Sequence, residues 1–150
     1  MNSILHINTG LPSILLLRRI DACDSREIRG LCFFDGKGAF TLIEAMAQLG
    51  AFHLRKRADF RRHAFLVKVS RCTIPEPLPA VGFLELEGRL TAGSDRSAAY
   101  RLCAASGRET VIAGDFLFST VDYDERFAGE KLRKHYERIF ACLTSASGIA

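Results

Sequence analysis

Thr41-Leu42-Ile43-Glu44-Ala45-Met46-Ala47-Gln48-Leu49-Gly50-Ala51-Phe52-His53-Leu54-Arg55-Lys56-Arg57 is the stretch on which the fold turns. It has no proline and is rich in Leu, Ala, Met and Gln, which lose little freedom on entering a helix, so it predicts a helix over 41–57. From Leu42 to Leu54 it is apolar on nearly every side, interrupted chiefly by Glu44, Gln48 and His53. Such a helix must be enclosed by the rest of the domain, not laid on its surface. At about 100° per residue, Gln48, Ala51 and Arg55 fall within about 40° of Glu44, which makes one polar stripe. His53 falls on the opposite side.

The segments that flank this helix read as strands. Ile14 to Cys23 and Arg26 to Phe34 precede it, with Asp24-Ser25 suited to the turn between them. Ile28, Cys32 and Phe34 share one side of the second run, while Glu27 and Arg29 point the other way. A glycine-rich break, Asp35-Gly36-Lys37-Gly38, leads into the helix. Four extended runs follow it, Phe65 to Ile74, Val81 to Leu90, Ala98 to Ala105 and Thr110 to Val121. Leu84, Leu86 and Leu90 alternate with Glu85, Glu87 and Arg89, the signature of a sheet with one wet face. Short connections at Gly93-Ser94-Asp95 and Ser106-Gly107-Arg108 make the last three runs an antiparallel meander. Phe127, Leu132, Tyr136, Ile139, Phe140 and Leu143 recur at helical spacing, giving an amphipathic C-terminal helix over about 125–143.

Strands, one buried helix and a meander define an α+β domain whose antiparallel sheet wraps a long central helix, the hotdog arrangement. No repeat or linker divides the chain, so residues 1–150 are expected to form one domain with its core at about 11–122.

Composition narrows the function. With 48% hydrophobic residues and four prolines, the chain is neither disordered nor collagen-like. The apolar stretch near the start, Ile14 to Leu17, is far shorter than the roughly 18 residues of a membrane span and no cleavable leader precedes it, so a cytoplasmic protein is expected. Five cysteines, Cys23, Cys32, Cys72, Cys103 and Cys142, lie among apolar residues with no C-x-x-C pair. Buried free thiols are expected, with no disulfide framework, metal site or cofactor. The net charge is +4, and Arg55, Lys56, Arg57, Arg61 and Arg62 cluster within eight positions. The cluster either complements the carboxyl-end helix dipole or docks an acidic partner, and nothing near it resembles a nucleic-acid reading element.

Leu42-Ile43-Glu44-Ala45-Met46-Ala47-Gln48-Leu49-Gly50 closely resembles the start of the central helix in FabA/FabZ-type 3-hydroxyacyl-acyl-carrier-protein dehydratases. Leu11-Pro12 with Leu15 to Ile20 is similar to that family's opening strand, and Phe33-Phe34-x-Gly36 to its pre-helix loop. Phe65 to Leu90 and Ala99 to Phe118 resemble its sheet. The resemblance implies an acyl thioester carried by acyl carrier protein or CoA, and a homodimer or a heterodimer with another hotdog subunit. It implies catalytic roles for Glu44, Gln48 and Lys37 and substrate binding by Phe34, Gly36, Gly38, Met46 and Leu49; the clustered charge of Arg55, Lys56, Arg57, Arg61 and Arg62 then makes them the expected carrier-binding residues.

In that family a helix carboxylate and a loop histidine act together on the thioester. Glu44 matches the carboxylate, but Lys37 stands in the histidine's place and the loop after it is shorter. A lysine with its ordinary pKa near 10.4 donates a proton but does not readily accept one. Three functions therefore follow: a FabZ-like dehydratase-family protein with a degenerate site, a hotdog acyl thioesterase using Glu44, or a non-catalytic partner subunit of a heteromeric dehydratase.

Two readings of Glu44 stay open at this level. Thr41-x-x-Glu44 is a capping-box pattern, in which the carboxylate would bond back to the first helix amide. Alternatively Glu44 is the acid or base, oriented by Gln48 one turn on. The amides near Gly36, Gly38 and the helix start form either a hole for a thioester carbonyl or a flexible connector. His6, His53, His63 and His135 show no metal spacing, and His63 reads as a surface residue.

Overall fold

The computed structural model describes residues 4–6, 12–123 and 129–145, with the side chains of 4–6 and 12–14 excepted. The N-terminal strands β1 (Ile4–His6) and β2 (Pro12–Ile14) pair with each other. They are followed by β3 (Leu17–Cys23), β4 (Glu27–Phe34), α1 (Ala39–Arg57), β5 (Arg62–Ser70), β6 (Gly82–Gly93), β7 (Ser97–Ser106), β8 (Glu109–Asp122) and α2 (Gly129–Ser145). One six-stranded sheet has the order β3-β4-β6-β7-β8-β5, antiparallel throughout. Helix α1 contacts all six strands. This is the expected α+β hotdog architecture.

The period-2 pattern sets which face of the sheet meets α1. In β6, Leu84, Leu86 and Leu90 are buried and Glu85, Glu87 and Arg89 are exposed. In β4, Ile28, Cys32 and Phe34 point inward. Helix α1 comes close enough at Gly50 that a methyl group there would lie 2.9 Å from the Phe118 ring.

Several boundaries differ from the sequence reading, each for a physical reason. The opening strand over 14–23 is broken, because the Leu16 N–H is donated to the Gln48 side chain. Helix α1 begins at Ala39, not Thr41, with Gly38 at its N-cap and no side-chain cap. Thr41 is thus inside the first turn and donates its hydroxyl to the Gly38 carbonyl at 2.7 Å, which removes the capping-box reading of Glu44. Strand β5 starts at Arg62, where pairing to Asp122 of β8 begins, and stops at Ser70. Arg71 has a left-handed φ of 49°, and Pro75, Pro77 and Pro79 cannot extend a ladder.

Helix α2 packs against β3 and buries Leu132, Tyr136, Ile139 and Leu143 of the predicted stripe, with the Tyr136 ring lying against Phe52 and Arg55 of α1. Leu11, Phe127 and the proposed helix start at 125–128 lie outside the described residues. The five cysteines are unpaired, but Cys32 alone is fully buried and Cys142 faces solvent, on the outer side of α2. No helix among the described residues is long and apolar enough to cross a membrane.

Candidate active site

The polar stripe on α1 lines a cavity of about 280 Å³. Glu44, Gln48, Ala51, Phe52 and Arg55 form one wall, with Phe65 and Leu66 of β5, Phe118 of β8 and Tyr136 of α2 facing them. A period of 3.6 residues places the stripe, and the curvature of the sheet leaves the space beside it.

Glu44 is solvent-accessible in this cavity. The Gln48 Nε2 group lies 3.5 Å from its Oε1, a long contact from one turn along the helix. Gln48 is itself fixed, because its Oε1 accepts the Leu16 backbone N–H at 2.9 Å. With its oxygen so engaged, the carboxamide turns its Nε2 group toward Glu44. The first-turn amides of α1 carry no side-chain cap, and helix side chains lean toward the N-terminus, so Glu44 leans toward that uncapped end.

Other expected site residues take different places. Phe34, Met46 and Leu49 are buried core side chains and do not line the cavity. Gly36, Lys37 and Gly38 lie in the loop before α1, where Gly36 adopts a φ of 80° and Asp35 Oδ1 accepts the Lys37 N–H at 2.9 Å. Lys37 is exposed.

The basic cluster divides. Lys56, Arg57 and Arg61 are exposed, and the half-buried Arg62 pairs with Asp122 at 3.2 Å. Arg55 departs from the surface cluster, since α1 turns it inward onto the cavity stripe with only 7% of its surface exposed. Its Nη2 donates to the Ala64 carbonyl at 3.0 Å, and its guanidinium lies 3.8 Å over the Tyr136 ring.

Among the described residues no histidine lines the cavity. His53 is buried on the far side of α1. Its Nε2 donates to the Asp24 carbonyl at 2.8 Å, and its Nδ1 accepts the Tyr100 hydroxyl at 2.6 Å. Its fully engaged ring ties the β3–β4 turn to α1 and β7. Burial lowers the pKa of His53 and His135, and burial with the nearby Arg55 charge pushes His63 down to about 4.

Unfolding frees these rings to take up protons near pH 6.5. Between about pH 6.5 and 4 the unfolded chain therefore binds more protons than the folded one, and stability is lost as the pH falls through that window. Melting temperature is expected to decline from pH 7 to pH 4.5, with a shallower slope in His63→Phe. An unchanged slope in that variant would remove His63 from the account.

No protein-family model and no curated protein matches the sequence. Solved structures do. A variant of the thioesterase PA1618 from Pseudomonas aeruginosa is 11% identical with a TM-score of 0.61, covering 73% of this chain and 84% of that one. The conserved protein PA5202 from the same organism is 13% identical with a TM-score of 0.60, covering 71% and 90%. The candidate thioesterase yhdA from Lactococcus lactis is 9% identical with a TM-score of 0.61, covering 71% and 91%. At such identities the likeness is one of architecture, and the chain has the hotdog fold shared with thioesterase-like proteins.

Proposed function

We propose that the chain hydrolyses acyl thioesters, with Glu44 as the general base. The supporting observation is the make-up of the cavity wall, with one carboxylate, one oriented carboxamide and no imidazole among the described residues. Dehydration of a 3-hydroxyacyl thioester must take a proton from C2 and deliver one to the departing hydroxyl, so it needs an acid and a base facing the same short segment of chain. Hydrolysis needs one base and donors for the developing oxyanion. Glu44 would accept a proton from water as the water oxygen bonds to the carbonyl carbon. The carbonyl electrons then move onto oxygen, and the positive N-terminal end of α1, in the turn before Glu44, favours that charge. Collapse breaks the C–S bond and returns the proton from Glu44 to the departing sulfur. Gln48 positions the carboxylate from one turn further along the helix.

A second copy of the chain completes this proposal. Strand β5 is an edge of the sheet and exposes Phe65, Leu66 and Val67, two of which border the cavity. Strand pairing there would cover the apolar edge and wall the site. Light scattering at micromolar concentration is expected to give a dimer.

Mass spectrometry of carrier-bound and CoA-bound 3-hydroxyacyl thioesters incubated with the protein tests the chemistry. Loss of the acyl group is the expected result. Loss of water would replace the proposal with dehydration, and unchanged thioester with acyl binding alone.

A further inference from the structure

The far end of the cavity holds a buried charge, the Arg55 guanidinium. Among the described residues no carboxylate lies within ion-pair distance of Arg55, and of its five N–H donors only one, on Nη2, is hydrogen-bonded. Among the described residues its buried Nε has no partner. The rings of Tyr136 at 3.8 Å and Phe52 at 5.6 Å offset part of the cost of removing this cation from water. The Tyr136 ring covers the guanidinium, and among the described residues the buried Tyr123 hydroxyl near it has no hydrogen-bond partner. The Arg55 guanidinium thus keeps donors in reserve at an end of the cavity where an apolar chain would leave them unsatisfied.

Geometry gives the length of a ligand that reaches them. Glu44 and Arg55 are eleven residues apart on one helix face, roughly 16 Å along the axis, and the Arg55 side chain reaches back toward the N-terminus and shortens that span. Between them the wall is Ala47, Ala51, Phe52 and Phe118. The volume, about 280 Å³, suits one medium-length chain.

We infer that the preferred acyl group carries a carboxylate at its distal end, paired with Arg55 while the thioester lies at Glu44. The inference rests on the thioesterase reading for the position of the thioester, and it names the substrate class: ω-carboxyacyl thioesters of about eight carbons. A planar guanidinium suits a carboxylate, and a site built to pair a polar end discriminates against a chain that lacks it.

The test compares suberyl-CoA with octanoyl-CoA, which match in length and differ at the distal end. Wild type is expected to prefer suberyl-CoA at least about tenfold in kcat/KM, and Arg55→Met to lower that ratio about a hundredfold. Equal wild-type rates, or a ratio unchanged in Arg55→Met, would overturn the inference while leaving thioester hydrolysis intact.

Binding supplies a readout independent of turnover. Monomethyl suberate has one free carboxylate and a neutral ester. It is expected to raise the melting temperature of wild type more than methyl octanoate does, and to lose that advantage in Arg55→Met. If neither thioester is cleaved but this difference persists, the hydrolase reading fails and the anion site stands. If the two esters act alike on wild type, the anion site fails, whether or not Arg55→Met folds.

Discussion

Glu44→Gln is expected to lower thioester turnover about a thousandfold and to leave the melting temperature within a few degrees. The amide keeps the size of the side chain but cannot take a proton from water. Stability should be spared because the structure gives Glu44 no capping role. The N-cap is Gly38, and the Thr41 hydroxyl is spent on a carbonyl. The contact of Glu44 with Gln48 is a long 3.5 Å at an accessible position. A capping carboxylate would show the reverse pattern, a stability loss of about 1 kcal/mol with activity kept. Turnover rates and a thermal melt on the same preparation separate the two, and retained turnover in Glu44→Gln would remove Glu44 as the base.

Phe118→Ala is expected to cost about 3–5 kcal/mol, a fall in melting temperature of roughly 10 °C or more for a domain of this size. The ring is 1% exposed, stacks edge-on with Tyr100 at 5.6 Å, and fills the space under α1 left by Gly50. Removing it leaves a void between helix and sheet that neighbouring side chains close only in part. The two positions should couple. In wild type a Gly50→Ala methyl would meet the ring at 2.9 Å and force it to move. In Phe118→Ala the same methyl enters the void and brings alanine's higher helix propensity, so its effect should change from destabilising to stabilising. A double-mutant cycle by chemical denaturation measures this, and additive effects would show that helix and sheet do not meet at these atoms.

The two predictions differ in how far the sequence anticipates them. The stripe of Glu44, Gln48, Ala51 and Arg55 is set by the turn angle of a helix, and all four residues line the same cavity. The apolar surround of α1 likewise announced a helix covered by a sheet, and the alternation in β6 announced which strand face would cover it. Such patterns are legible because they depend on spacing within one element, which the chain carries along its own length.

What depends on a second element was decided only in the tertiary structure. Arg55 belongs by position both to a cavity stripe and to a run of surface cations. Tyr136, about eighty residues later, covers its guanidinium and settles the choice. Gln48 was expected near Glu44, but the orientation of its carboxamide comes from the Leu16 amide, whose donation to a side chain also breaks the opening strand. The helix start moved to Ala39 because Gly38 takes an extended conformation and its carbonyl bonds Thr41, which no propensity for 41–57 encodes. The sequence by itself therefore determined the elements and their buried faces, through periodicity that needs no distant partner. Only the tertiary structure decided which side chains meet in the cavity and which are left with unused donors, because hydrogen bonds and the burial of charge are set by atoms far apart in the chain.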